Sequence, residues 1–538
     1  MPVDAHSTEH EQRKAAIATN VTSRPMLAIM GVLLGALISV FTGRLLSIGL
    51  ADVQGAIGAN SDDMSWVVTA FNAANMFIGP LSVFLGGLLG PRRVLLWASA
   101  IFAMSEFLSP LVAHNVGALL VLQFIAGLSA GTYYPLTLSV IINNLPMRLV
   151  HFGIAAYALD ILASTHIATA LEAWYMDHLS WHWVFWNALL VTPLMVACVY
   201  FGIPKQPIPQ SKPTGHNFWG FLYAACAFTL IYIGLDQGER LDWLHSGVVV
   251  AFLVSGAWLL FVTVIRRIRH PHPLLNLKFI TSRNFLLLGF ILVCFRFLLL
   301  APTLLIPKYL ELVHGYRPDQ TGNVLAWVSV IQLIAAPIAG WLLYRTDSRL
   351  LCSIGFLIVG ATAMVSSKID PGWTGETFVV SQAINAVGLT LALTGLVNSI
   401  LRNAMALGAL KSPANILTVA CWFQTCRLFG AEIGKSVMLH FLRVQGTLHG
   451  TVLKQYFDGG WQTDERLRQL IALTIPDGSG LDDAKANAAK LLGAALEQQA
   501  GMLAVSDGLV LVAITAAICL AAMAALRYAP PLVPKSNP

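Results

Sequence analysis

The stretch Gly79-Pro80-Leu81-Ser82-Val83-Phe84-Leu85-Gly86-Gly87-Leu88-Leu89-Gly90-Pro91-Arg92-Arg93 closes an apolar run with glycines, prolines and a basic pair. The same punctuation returns in the second half of the chain as Ala336-Pro337-Ile338-Ala339-Gly340-Trp341-Leu342-Leu343-Tyr344-Arg345-Thr346-Asp347-Ser348-Arg349. In both, Pro and Gly fall in the last part of an apolar helix and two cations follow it, where they suit the helix dipole and lipid phosphates. One such stretch is an ordinary hairpin between membrane helices. Two at equivalent places mark an internal repeat of the kind from which transporters are built. Gly86, Gly90, Arg92 and Arg93, with Arg345 and Arg349, are therefore candidates for a cytoplasmic gating loop.

The rest of the chain agrees. Of 538 residues, 56% are hydrophobic and only 11% charged, with a mean hydropathy of +0.69, whereas a soluble domain is roughly 25% charged. Too little polar surface exists to keep a chain of this length in water, so lipid is its main solvent. The formal charge of +6 comes from pairs and short clusters between apolar runs rather than from one basic stripe, which argues for topology and against nucleic acid. The seven cysteines lie in apolar stretches without metal-type spacing, so neither disulfides nor a metal site are expected.

A spanning helix needs about 20 apolar residues. Candidates lie near 26–50, 65–86, 93–113, 117–143, 150–175, 183–203, 217–236, 246–266, 285–307, 322–345, 350–367, 377–400, 414–442 and 503–527. The polar Met1 to Arg24 is too long for the n-region of a cleaved signal peptide, so the run after it reads as the first span. With a cytoplasmic N-terminus, nineteen Lys and Arg fall inside, and only Arg240, Lys308, Arg317 and Lys368 fall in short outside loops. Acids such as Asp62, Asp63, Asp177, Glu239 and Asp242 gather outside, so both termini are expected to be cytoplasmic. The Pro-rich 204–213 and basic 266–283 segments divide the chain. Expected units are a tail (1–25), a six-helix bundle (26–203), linker segments with two extra helices (204–283), a second six-helix bundle (284–442 and 503–527), and a tail (528–538). The polar 443–502 reads as a small extracytoplasmic subdomain.

Several segments, in order along nearly the whole chain, resemble the fourteen-span drug:proton antiporters of the major facilitator superfamily, the EmrB/QacA type. They are Trp66-Val67-Val68-Thr69-Ala70-Phe71, Leu235-Asp236-Gln237-Gly238-Glu239-Arg240-Leu241-Asp242-Trp243, and Ser282-Arg283-Asn284-Phe285. Gly315-Tyr316, Gly322, Arg427, Gly430, Gly434, and the approach from Gln498-Gln499 to Ser506-Asp507 continue the likeness. The resemblance implies an all-α polytopic fold: two six-helix bundles plus two central helices in the inner (plasma) membrane. It also implies export of small amphiphilic compounds, multidrug or aromatic and fatty acids, by proton antiport with alternating access. No cofactor is implied. In double-membrane bacteria such proteins commonly work with a periplasmic adaptor and an outer-membrane channel. The chain departs from the family pattern at Phe41-Thr42-Gly43-Arg44, where an acid is usual on helix one. It also lacks an Asp near Gly87, has Gln123 in place of an Arg, and has Ala168–Ala173 in place of a Gly-Pro and Gly-Gly pattern.

Ionisable groups within spans cost a few kcal/mol to insert and mark function by default. Asp160 lies roughly 15 Å beyond the inner start of helix five, near the midplane, and is the first candidate for proton or substrate binding. His166 and Glu172 follow on the same helix in other directions, Glu172 at a depth similar to Arg44. An Arg44–Glu172 or Arg44–Asp160 ion pair is compatible with neighbouring helices one and five. Glu432 and Lys435 are three apart and expected to pair, while Arg427 and Arg296 read as lone cations facing a cavity. This surplus of cations is compatible with an anionic substrate. Trp174, Tyr175, Trp181, Trp183 and Trp186 read as an interfacial aromatic belt. No P-loop, HExxH, GxSxG or paired-Cys motif is present, which leaves ATP-driven and hydrolytic chemistry without support. An uncoupled lipid or amphiphile flippase and a proton-coupled organic-anion transporter are the alternatives.

Overall fold

The computed structural model describes residues 24–145, 149–205, 215–269, 280–408, 413–456, 460–474 and 481–530. Expectations that rest on both tails, on most of the two linkers, and on Arg148, Lys212, Lys278, Lys411 and Lys535 lie outside the described residues. In order, the helices are α1 (Pro25–Ile48), α2 (Leu50–Ile57), α3 (Ser61–Leu89), α4 (Pro91–Leu108), α5 (Val116–Ala130), α6 (Tyr133–Asn144), α7 (Val150–His178), α8 (Trp183–Gly202), α9 (Gly215–Gly238) and α10 (Gly247–Arg269). Then come α11 (Arg283–Leu298), α12 (Ile306–His314), α13 (Pro318–Arg345), α14 (Ser348–Ser366), α15 (Gly375–Ala406), α16 (Pro413–Gln455), α17 (Trp461–Thr474) and α18 (Leu481–Ala524).

Each expected span falls on one of these helices or on a pair in series, because the apolar runs leave their backbone groups no partner but the helix itself. Among the described residues, eleven helices are long and apolar enough to cross a membrane. The three remaining expected spans coincide with α3, α9 and α16, outside that set. Local chemistry sets the boundaries. Pro25 and Pro91 open α1 and α4 at the one position where a missing N–H is harmless. The side chains of Asn60, Asn115 and Asp347 cap α3, α5 and α14. Gly315, at φ +66, ends α12, with its N–H donating to Glu311 O and that of Tyr316 to Leu310 O.

Gly90 joins α3 to α4 at φ +86, a conformation that disfavours any residue with a Cβ. It turns the chain directly into the basic pair. Gly86 lies against α6, where an added Cβ would come 2.7 Å from Leu136. Two of the cations that follow the repeated Pro-Gly stretches find aromatic faces: Arg92 lies 4.5 Å from the ring of Tyr200, and Arg345 4.6 Å from that of Trp341.

The halves meet along α7 and α13, where small residues let the backbones close in. A Cβ on Gly322 would lie 2.9 Å from Ala170 Cα, and one on Gly340 would lie 3.3 Å from Ala155 Cβ. Within the first half α3 and α5 touch more closely still, since a Cβ on Gly127 would lie 2.2 Å from the carbonyl oxygen of Phe71. Gly127→Val is expected to push these helices apart and to lower stability by about 3 kcal/mol, at the upper end for overpacking. Thermal unfolding of the purified protein checks this, and an unchanged midpoint would refute the close approach.

The segment 443–502 differs from a separate subdomain hung between two spans. Instead α16 runs on to Gln455 and α18 begins at Leu481, with α17 packed against α18. Polar side chains do not stop a helix; they only move it from lipid into water. At 43 and 44 residues, α16 and α18 are each roughly 65 Å long, about twice the hydrocarbon thickness. Gln498 fastens α18 to α12 by donating to Leu312 O and Val313 O, and His449 of α16 meets Asp507 of α18 at 2.7 Å.

Candidate functional site

Asp160 lies on α7 and is 8% exposed. Its Oδ2 accepts no hydrogen bond from the described residues. The arginine whose charge reaches it is Arg427 of α16, not Arg44, which removes the Arg44–Asp160 pair from consideration. Arg427, 5% exposed, lays its guanidinium on the ring of Tyr134 at 3.9 Å and donates from Nε to Gln424 at 3.2 Å. Tyr134 packs on Tyr157 at 4.9 Å between centroids, and Tyr157 on Phe423 at 6.2 Å. Thus α6 and α7 of the first half and α16 of the second enclose one acid, one cation and stacked aromatic rings. An acid and a cation in reach but not in contact leave room for exchange of partners.

Arg296 of α11 connects this group to others. Its charge interacts with Arg427, Arg44, Tyr134 and Tyr232, and its aliphatic stem packs near Gly430 of α16. Arg44 donates from Nη2 to Thr303 O at 3.1 Å across the two halves. Thr303 sits in a π-turn (Ala301–Leu305) between α11 and α12, opened by Pro302, which has no N–H to give. The charge of Arg44 also reaches His166, which is 1% exposed. Among the described residues none of Arg44, Arg296 and Arg427 has a carboxylate in a salt bridge. Glu172, fully buried, lies toward Gly49, away from Asp160 along α7. Glu432 pairs with Lys435 at 3.5 Å, as expected from their spacing.

A family profile described as Major Facilitator Superfamily matches residues 32–434. The chain belongs to the major facilitator superfamily. It is 24% identical over 443 residues to a multidrug export protein EmrB of Haemophilus influenzae, covering 80% of this chain and 83% of that one. It is also 24% identical over 330 residues to the fatty acid resistance protein FarB of Neisseria gonorrhoeae, covering 61% of this chain and 64% of that one. The structure of the human organic anion transporter MFSD10 superposes with a TM-score of 0.52 at 14% identity, over 91% of this chain and 99% of that one. Fold and relatives are those of transporters rather than enzymes, and the protein is a multi-pass membrane transporter of the inner membrane.

Of the aromatic residues expected to form an interfacial belt, Tyr175 is buried, lying 5.8 Å from Trp183, which lies 6.3 Å from Trp186. Trp186 donates to Phe107 O at 3.2 Å. Sequence reading passed over Tyr134 and Tyr157, whose role depends on Arg427 arriving from a distant helix. It also passed over Glu106 of α4, wholly buried in the first half beside Gln123 of α5. The signal for Glu106 was available: an acid inside an apolar run.

Proposed function

We propose that this transporter exports small amphiphilic compounds, of the multidrug or aromatic and fatty acid type, by proton antiport with alternating access. It crosses the membrane fourteen times in this reading, with both termini cytoplasmic. The observation that carries the reading is Asp160: a buried carboxyl at the meeting of the two halves, within reach of Arg427 and walled by Tyr134 and Tyr157. A proton on Asp160 and a substrate beside the rings exclude one another if both draw on Arg427. The named activities of the EmrB and FarB relatives support this substrate range.

The three arginines of the interior favour a second reading, transport of organic anions together with protons. A periplasmic adaptor and outer-membrane channel complete the export reading, and the long α16–α18 extension offers them a surface. The test is efflux of a panel of cationic and anionic amphiphiles from cells expressing the protein, with and without a protonophore. Export of amphiphiles that stops with the protonophore is the expected result. Export that continues unchanged would favour an uncoupled flippase, and proton-dependent uptake of the anions alone would favour the second reading.

A further inference from the structure

Between the two halves, positive charge outnumbers negative. Arg44, Arg296 and Arg427 gather there, since the charge of Arg296 reaches both of the others. The charge that reaches Asp160 is that of Arg427. Other acids nearby are engaged elsewhere: Lys435 of α16 holds Asp236 of α9 at 2.7 Å and Glu432 of its own helix at 3.5 Å, and Glu172 lies within the first half, beside Gly49 and Val184. Three guanidiniums against one carboxyl leave a surplus of positive charge inside spanning helices. Such a surplus is costly unless an anion or water meets it.

The donors that carry this surplus are open. Arg296 of α11 makes no hydrogen bond or ion pair among the described residues, and its Nε is buried without an acceptor. Arg44 of α1 gives one donor, Nη2, to Thr303 O at 3.1 Å, and its Nε is likewise buried and unpartnered. Both residues are nevertheless only partly buried. They face the space between the halves: Arg44 reaches across to the π-turn of the second half, and Arg296 stands near Arg427, Arg44 and Tyr134. His166 of α7, within reach of the Arg44 charge, is 1% exposed, with neither ring nitrogen hydrogen-bonded to a described residue. Buried N–H groups without acceptors carry a desolvation cost that an arriving oxyanion removes.

We propose that Arg44 and Arg296, with His166 beside them, bind the carboxylate of an amphiphilic organic acid whose apolar part lies along Tyr134 and Tyr157. This rests on the transporter reading above and gives its substrate a charge and an orientation. Depth along the helices sets the orientation. Counted from the cytoplasmic ends in the proposed topology, Arg296, His166 and Arg44 lie roughly 20, 24 and 29 Å deep, whereas Tyr134 and Tyr157 lie roughly 15 and 10 Å deep. The head group therefore sits outward of the rings and the tail runs inward from it. A carboxylate between two guanidiniums meets a fork of donors on each side. Since α1 belongs to one half and α11 to the other, a single head group bridges both. An ammonium head would meet like charges in the same place, so the site selects organic acids over cationic amphiphiles.

The test is isothermal titration calorimetry of the purified full chain with naphthoate and with naphthamide, which has the same shape and no charge. Naphthoate is expected to bind tighter than naphthamide by on the order of tenfold to a hundredfold, the usual strength of charge-assisted hydrogen bonds. Arg44→Gln and Arg296→Gln are each expected to weaken naphthoate by on the order of tenfold and to leave naphthamide unchanged, a split that a merely structural role would not produce. Arg296→Lys keeps the charge but not the fork and is expected to fall between wild type and Arg296→Gln. Equal affinity of the wild type for the two ligands overturns the proposal, as does a glutamine variant that loses both ligands to the same degree. If a glutamine variant fails to fold, its lysine counterpart decides, and a naphthoate affinity unchanged from wild type overturns the proposal. Preference for naphthoate beside export that ignores a protonophore keeps the site and removes antiport. Proton-driven export of cationic amphiphiles with no preference for naphthoate keeps antiport and removes the site.

Discussion

Proteoliposomes carrying Asp160→Asn are expected to equilibrate substrate across the membrane but not to concentrate it. For one proton exchanged per substrate, a gradient of one pH unit is worth about 1.4 kcal/mol, which holds a tenfold substrate ratio. An amide has the shape of the carboxyl but carries no exchangeable charge, so the expected ratio for the variant is about one, while counterflow of labelled against unlabelled substrate continues. The measurement is substrate accumulation in vesicles with an imposed pH gradient beside counterflow without one. Loss of both would make Asp160 a packing residue, and retention of the tenfold ratio would place coupling elsewhere, with Glu106 the next buried carboxyl to replace.

A loss of stability as large as that of Gly127→Val is expected of Arg402→Ala. Arg402 of α15 donates from Nη1 to Asp347 at 2.7 Å and Ser348 at 3.0 Å, from Nε to Pro530 O at 3.1 Å, and from Nη2 to Ala529 O. It ties the α13–α14 turn to the segment that follows α18. Removing one partner of such a group costs about 3 kcal/mol, the low end for a buried pair, because Asp347 is a third exposed. Thermal unfolding in detergent checks the loss. The pH dependence has a definite sign. Burial alone raises the Asp347 carboxyl, but the Arg349 backbone N–H and the Arg402 and Arg349 guanidiniums outweigh it and hold the group below its usual value. A depressed carboxyl contributes stability that is present above its unfolded value of about 3.9 and lost as pH falls through the folded one. Asp347→Asn is therefore expected to be less stable than wild type at neutral pH, with the difference shrinking below about pH 4. A constant difference down to strong acid would detach the effect from ionisation.

The contrast between fold and site shows what a sequence discloses. Apolar runs, prolines and basic pairs act through the nearest turn of helix and the nearest bilayer face, so the helices could be read in order from Pro25 to Ala524. The Glu432–Lys435 pair was legible for the same reason, since three residues span less than a helical turn. Its tighter partner was not. Asp236 is 199 positions from Lys435, and beside Gln237 and Gly238 it looked like one acid among several closing a helix. Arg44 likewise invited a partner among acids of similar depth, yet its hydrogen bond goes to a backbone carbonyl exposed by the turn at Pro302. No local window contains that turn and that arginine together. Tyr134 and Tyr157 were invisible as site residues because buried tyrosines are common, and only the arrival of Arg427 gives them an electrostatic role.

The unbroken course of α16 and α18 beyond the hydrophobic spans has a mechanical meaning. From Leu481 to Met502 the α18 arm is roughly 30 Å long, and it shares one helix axis with the span that follows it. A rotation of the second half by about 10°, modest among rigid-body transitions, swings the tip by roughly 5 Å. Under the proposed alternating access, the arm is a lever whose tip amplifies any rotation of the second half, a movement that a distance measurement at Leu481 would read.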